Sequence, residues 1–269
     1  MTLKDLLMPR NTVGELTNKP SYFVKPDGAQ LAYHKLTGAQ PGIIFFGGFA
    51  SDMEGTKALA LEKYAANRGQ SFVRFDYQGH GKSTGKISEG TIGKWLSDSL
   101  SVIDSLTEGP QILIGSSMGG WITLLAALER PSRVVGLVGI ASAPDFTEDL
   151  MWDKFGITAR ERLQKKGKYL LPSNFEDSDY IVTMELIEEG RSRLVLRKQL
   201  PLTVPIRLLH GTADTDVPFQ VSLRLAEHVD SSDVEVTLIK EGDHRLSGDR
   251  DLKVLFGMLD RLISDVSGK

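Results

Sequence analysis

Residues Gly115-Ser116-Ser117-Met118-Gly119 set a serine between two glycines at the GxSxG spacing. The pentapeptide follows an apolar run, residues 111–114, and precedes a helical pattern that begins near Trp121. A sharp turn from strand into helix exposes the Ser117 hydroxyl at the positive end of the helix. Negative charge developing on a substrate oxygen is favoured there. The glycines lower the steric cost of such a turn. The chemistry is nucleophilic attack on a carbonyl carbon. In isolation the pentapeptide is equally an ordinary tight turn, and its strand–turn–helix setting is what favours the chemistry.

A serine hydroxyl at its free pKa is a weak nucleophile and needs a base. The chain has five histidines, His34, His80, His210, His228 and His244. Where such an elbow heads a sheet strand, an acid and then a histidine follow the serine in the chain. His210 ends an apolar run and reads as a turn residue, and His228 lies in an amphipathic helix. His244, in Glu241-Gly242-Asp243-His244-Arg245, follows the last apolar run and can return over the elbow. It is the expected base, and Asp243 beside it reads as a loop residue. The expected acid is Asp214, first in the turn after His210, with Asp216 the alternative and Asp145 a third choice. Asp216 also reads as a helix-start residue ahead of Pro218. Two backbone N–H groups must hold the oxyanion: that of Met118, and one from Phe46-Gly47-Gly48-Phe49-Ala50. Phe49 is preferred there, and Ala50 is second.

These residues need a frame. Residues 21–36 read as a hairpin turning at Pro26-Asp27-Gly28. Short apolar runs then recur at 43–46, 71–75, 111–114, 134–140, 206–210 and 234–239, with helical patterns at about 54–68, 93–107, 118–130, 218–229 and 250–265. Unbroken apolar runs suit strands buried on both faces of a parallel sheet. The expected fold class is α/β: a mostly parallel twisted sheet with helices on both faces. Residues 145–203 break the rhythm, contain no convincing strand and read as an inserted helical cap. The division is therefore a first core part at 1–144, the cap at 145–203 and a second core part at 204–269. Trp121, Met151, Trp152 and Phe155 are the expected substrate-pocket residues. Asp76-Tyr77-Gln78-Gly79-His80-Gly81-Lys82-Ser83 follows the run at 71–75, and His80 there reads as a structural or rim residue.

Composition narrows the alternatives. The absence of cysteine excludes a thiol nucleophile, a disulfide framework and thiolate metal sites. No two histidines stand at a metal-ligating spacing, and no metal or organic cofactor is called for. A net charge of −3 argues against a nucleic-acid partner. The longest near-apolar run, residues 42–50, is too short to span a bilayer. Residues 1–16 carry no signal-peptide pattern, so a cytoplasmic location is expected.

The assembled motifs resemble the α/β-hydrolase superfamily. Residues 49–65, 74–85, 91–98, 109–121, 205–218 and 242–247 resemble one subgroup within it. That subgroup is the mitochondrial palmitoyl-protein thioesterases, also described as acyl-glucuronide esterases (the α/β-hydrolase domain-containing protein ten type). The resemblance implies a serine hydrolase acting on small acyl esters or thioesters, or on acylated protein, through Ser117, Asp214 and His244. A bacterial relative without the subgroup's leader is expected. The loop FGGFAS lacks the proline usual before the glycine, and the cap matches loosely. A general carboxylesterase or lipase, a carbon–carbon bond hydrolase, an acyltransferase and a non-enzymatic small-ligand receptor are the alternatives.

Overall fold

The structure, a computed structural model, describes residues 19–171 and 180–267. Residues 1–16, on which the cytoplasmic expectation rests, lie outside the described residues, as does part of the cap, residues 172–179.

The elements in chain order begin with β1 (Ser21–Val24), β2 (Gln30–Leu36), β3 (Ala39–Phe46), α1 (Thr56–Arg68) and β4 (Gln70–Phe75). Next come α2 (Ile92–Leu106), β5 (Gln111–Ser116), α3 (Met118–Glu129) and β6 (Val134–Ile140). A π-helical turn (Thr147–Trp152) opens the cap, which continues through α4 (Ile157–Lys166), β7 (Lys168–Leu171), β8 (Tyr180–Thr183) and α5 (Met184–Arg191). The chain returns to the sheet with β9 (Ile206–Gly211), α6 (Gln220–His228), β10 (Val234–Ile239) and α7 (Asp249–Ser267).

The large sheet has the order β1-β2-β4-β3-β5-β6-β9-β10. The strands from β4 to β10 are all parallel, while β2 pairs antiparallel with both β1 and β4. The hairpin at 21–36 is therefore β1–β2. Alternate side chains of each strand point to opposite faces, which explains two core clusters rather than one. Ile44, Phe46, Val73, Phe75 and Leu113 pack with α2 and α3. Ile43, Phe45, Phe72, Ile112 and Ile114 pack with α1 and α7. Strands buried on both faces have no polar alternation, and their runs read accordingly.

The chain leaves β3 for β4 on one side and returns to β5 on the other. The crevice beyond the carboxyl ends of β3 and β5 is thus a topological switch point, where ligands of open α/β sheets bind. The cap differs from the expectation in one respect: it contains strands. β7 and β8 form a separate antiparallel pair, Lys168↔Thr183 to Leu171↔Tyr180. Each has only four residues, and β7 is half exposed along its length, so no apolar run marks it.

Candidate active site

Ser117 stands between β5 and α3 with φ 54° and ψ −117°, a conformation costly for any residue with a side chain. Its neighbours hold it there. The Ser117 N–H donates to Ile140 O (2.9 Å), and Ser117 O accepts from Gly120 N (2.9 Å) and Ala143 N (3.0 Å). Gly119 is required by close approach, since a Cβ there would lie 2.1 Å from Phe46 O.

His244 lies in the loop after β10, between Glu241 and Leu246, which both have positive φ. Its Nε2 is 3.1 Å from Ser117 Oγ, and its Nδ1 is 2.8 Å from Asp214 Oδ2. A carboxylate only accepts, so the proton sits on Nδ1 and donates to Asp214. Nε2 then accepts from the Ser117 hydroxyl. The loops carrying acid and base are joined directly: Ala213 N donates to Gly242 O (2.9 Å), and a Cβ on Gly211 would lie 2.2 Å from that same oxygen.

The Asp214 side chain is fully buried, and both its oxygens are used. Oδ1 accepts from Asp216 N (2.9 Å) and Val217 N (2.8 Å). Oδ2 accepts from His244 Nδ1 and from His210 Nε2 (3.2 Å). Burial pushes the Asp214 carboxyl up, but the hydrogen bonds from His210 and His244 outweigh it and hold it well below the usual carboxylate range. Asp214, Asp216 and His244 lie close enough to suggest an ion site. Both His244 nitrogens and both Asp214 oxygens are already engaged, so the grouping is a hydrogen-bond relay.

Asp216 does not start a helix. α6 begins four residues later at Gln220, and Asp216 serves through its N–H. Asp145 faces away from this relay: its Oδ1 accepts from Val195 N (2.7 Å) and its Oδ2 from Leu196 N (2.9 Å). His210, taken from the sequence as a turn residue only, touches the acid directly. Its Nε2 also donates to Val217 O (2.9 Å), and its Nδ1 accepts from Ser222 Oγ (2.7 Å). The HGxxD spacing carries a faint signal of this, since Asp214 stands four positions after His210.

The loop after β3 lies against the serine, and a Cβ on Gly48 would sit 3.5 Å from Ser117 Cβ. Among the described residues, neither Phe49 N–H nor Met118 N–H has a protein acceptor. The Ala50 N–H, the second choice for the oxyanion, is committed to His80 Nε2 (3.2 Å).

The four expected pocket residues divide between the main core and the cap. Trp121 is fully buried, with its Nε1–H donating to Arg193 O (3.2 Å) and its ring edge-on to Phe146 (5.8 Å), so it is core and not pocket wall. Trp152 and Phe155 pack in the cap around Leu163, Val182 and Ile187 and remain partly exposed. Trp152 also lies between the Arg160 and Arg191 guanidinium groups. Met151 touches both the cap cluster and the main core. The Phe49 ring, on the loop that lies against the serine, meets Trp95 (5.9 Å), Phe146 (6.2 Å) and, from the cap, Tyr180 (5.8 Å). These residues are distant in sequence and share no motif, so only the fold brings them together.

Comparison with known proteins adds the family. The family model described as serine aminopeptidase, S33 (Hydrolase_4) matches residues 39–189. The mitochondrial palmitoyl-protein thioesterase ABHD10 of Homo sapiens is 43% identical over 248 residues, covering 92% of this chain and 81% of its own. The structure of α/β-hydrolase domain-containing protein 10 from mouse superposes with a TM-score of 0.86 at 40% identity, covering 92% of this chain and 99% of that one. A putative hydrolase from Agrobacterium vitis S4 superposes with a TM-score of 0.87 at 38% identity, covering 91% and 98%. The chain belongs to the Hydrolase_4 family of α/β-hydrolases and is a hydrolase.

Proposed function

We propose that the protein is a serine hydrolase of acyl esters and thioesters, with S-palmitoyl and related long-chain thioesters as its preferred class. The observation that carries the mechanism is the unbroken relay Asp214–His244–Ser117, with hydrogen bonds of 2.8 and 3.1 Å. His244 Nε2 takes the Ser117 proton as Oγ attacks the substrate carbonyl carbon. Asp214, held ionised by its hydrogen bonds, stabilises the imidazolium that forms. The N–H groups of Phe49 and Met118 receive the oxyanion. The tetrahedral intermediate collapses with proton transfer from His244 Nε2 to the departing sulfur or oxygen. Water then repeats the sequence on the acyl-enzyme and frees the acid.

The thioester preference rests on the relatives named palmitoyl-protein thioesterase and on the aromatic surface around Phe49. An acyl chain lying on that surface gains about 0.8 kcal/mol per buried CH₂. Two measurements test the reading. A fluorophosphonate probe should label the wild type at Ser117, and Ser117→Ala should lose both labelling and turnover. Acyl thioesters from C4 to C16 and the matched oxygen esters should show kcat/KM rising with chain length in the thioester series. Turnover persisting in Ser117→Ala would reject the mechanism, and a flat chain-length profile would reject the long-chain substrate class.

A further inference from the structure

The turn Asp76-Tyr77-Gln78-Gly79-His80-Gly81-Lys82-Ser83 has no part in the relay, yet three of its side chains reach the loop that carries the Phe49 N–H. Asp76 Oδ1 accepts from Met53 N (2.7 Å). The Tyr77 hydroxyl donates to Gly47 O (3.4 Å). His80 Nε2 accepts from Ala50 N (3.2 Å). The loop after β3 is thus gripped at Gly47, Ala50 and Met53 by one turn after β4.

The turn is itself fixed from behind. Asp76 Oδ2 accepts from Lys82 N (2.8 Å), and the Ser83 hydroxyl donates to Asp76 O (2.7 Å). Gln78 donates through its N–H and its side-chain amide to Asp98 (both 2.8 Å), whose carboxylate pairs with Lys25 (2.8 Å). Gln78 O accepts from Trp95 Nε1 (3.1 Å) and faces His80 Nδ1 at 3.3 Å. A carbonyl oxygen only accepts, so the His80 proton belongs on Nδ1 and Nε2 is left as an acceptor. The ring is held edge-on by Trp95 (5.3 Å) and Tyr77 (5.5 Å) and is buried. Burial also pushes its pKa down to about 4, which keeps it an acceptor throughout the neutral range.

Ala50 has φ +57°, a left-handed conformation that a side chain makes unfavourable by about 1–2 kcal/mol. Something must hold it there, and the acceptor on its N–H does so one residue beyond Phe49.

We propose that His80 is a positioning residue of the oxyanion site: by accepting the Ala50 N–H it fixes the loop so that the Phe49 N–H stays aimed at the substrate oxygen beside Ser117. This rests on the serine-hydrolase reading. It goes beyond that reading by giving the second imidazole a role in the transition state without contact to substrate.

Two polar substitutions separate that role from packing. In His80→Gln the side-chain amide oxygen can occupy the place of Nε2 and accept from Ala50 N. In His80→Asn the shorter side chain reaches only to the place of Nδ1. An oxyanion contact acts in the transition state, so its loss lowers kcat and kcat/KM together and leaves KM alone. His80→Asn should lose about 10- to 100-fold in kcat, the scale of a small misplacement at a reacting centre, with KM within about twofold of wild type. The fluorophosphonate labelling rate should fall with kcat. His80→Gln should recover kcat to within about threefold. Wild-type kcat in a folded His80→Asn protein would overturn the proposal. So would equal losses in both variants with matching falls in melting temperature, since that is the signature of packing alone. Should His80→Asn not fold, ¹⁵N NMR of the wild-type imidazole decides: Nδ1 protonated and Nε2 bare supports the role, and the opposite tautomer refutes it. Failure here with an inactive Ser117→Ala leaves the serine mechanism standing. An active Ser117→Ala removes that mechanism first.

Discussion

The carboxyl edge of the large sheet is pinned from both faces by continuous apolar clusters, whereas the cap's own cluster among the described residues is built on three buried side chains, Leu163, Val182 and Ile187. The cap meets the rest of the molecule through Phe146, Leu186, Val195 and Leu196, which are buried in the main core, and through polar contacts at its rim. Across that boundary Lys94 pairs with Glu185 and Gly93 N donates to Glu189, while Arg191 with Glu148 and Arg193 with Glu189 pair within the cap. Exposed pairs of this kind contribute roughly 0–1 kcal/mol each. Backbone strain divides the same way. Among the described residues, the non-glycine residues with positive φ are Ala50, Ser117, Ala141, Asp145, Glu241 and Leu246. Each follows the carboxyl end of β3, β5, β6 or β10, and Asp145, at the entrance, is the one described cap residue among them. Strained backbone persists only where its surroundings over-determine it. The edge that holds the relay can store strain, and the cap, with its thin core, is free to differ.

The rigid catalytic edge should respond to substitution far more strongly than the cap, most of all in the chemistry. Asp214→Asn should lower kcat about 10⁴-fold, close to 5.5 kcal/mol in the barrier, while Asp216→Asn should cost less than about threefold. Steady-state kinetics on an activated ester would show it, and the reverse order would move the acid. Ile114→Ala, in the fully buried middle of β5, should lower the denaturant-derived unfolding free energy by about 2–5 kcal/mol.

The pH dependence of stability comes next. The folded pKa of His80 lies at about 4 against an ordinary 6.5, so between those values the unfolded chain takes up a proton that the folded protein refuses. Stability from this group is therefore intact above about pH 6.5, falls as the pH drops, and levels off near 4. The loss is about 3 kcal/mol. Denaturant titrations at pH 7 and pH 4.5 should show that slope reduced in His80→Gln, and an equal slope in both proteins would contradict it. The smallest effect is expected in the cap. Trp152→Ala should speed amide exchange or proteolytic cleavage within 145–203 and move the global unfolding free energy by less than about 1 kcal/mol. A global loss on the scale of Ile114→Ala would erase the distinction between the two regions.

Legibility in the sequence follows the same division. The six parallel strands are visible because burial on both faces leaves uninterrupted apolar runs. The elbow is visible because its constraint is local: Gly119 approaches β3 within five residues of the nucleophile's strand. β7 is hidden because four half-exposed residues with a lysine at the start have no periodicity to detect, and β8 because its four residues are too few to show one. Asp216 looks like a helix start because Pro218 follows it, yet the turn there is spent on holding Asp214, and α6 starts later. His80 and His210 look like turn residues; His80 is one, and His210 is the penultimate residue of β9. Their second role depends on partners brought close by the fold, 30 residues away for Ala50 and 12 for Ser222, and sequence spacing carries no record of which way a ring nitrogen points.

The paired hydrogen bonds of Asp145 have a consequence for how such a protein changes over generations. The first residue of the cap and its return segment at Val195 and Leu196 meet at one carboxylate, so the two ends of the insertion are tied together at one point. The entropic cost of closing a flexible loop grows only logarithmically, by about 0.6 kcal/mol per doubling of length. A longer, shorter or differently folded insertion spliced at this point leaves the strands on either side, β6 and β9, in register. New acyl specificities can therefore be grafted onto an unchanged catalytic edge at one fixed point of attachment.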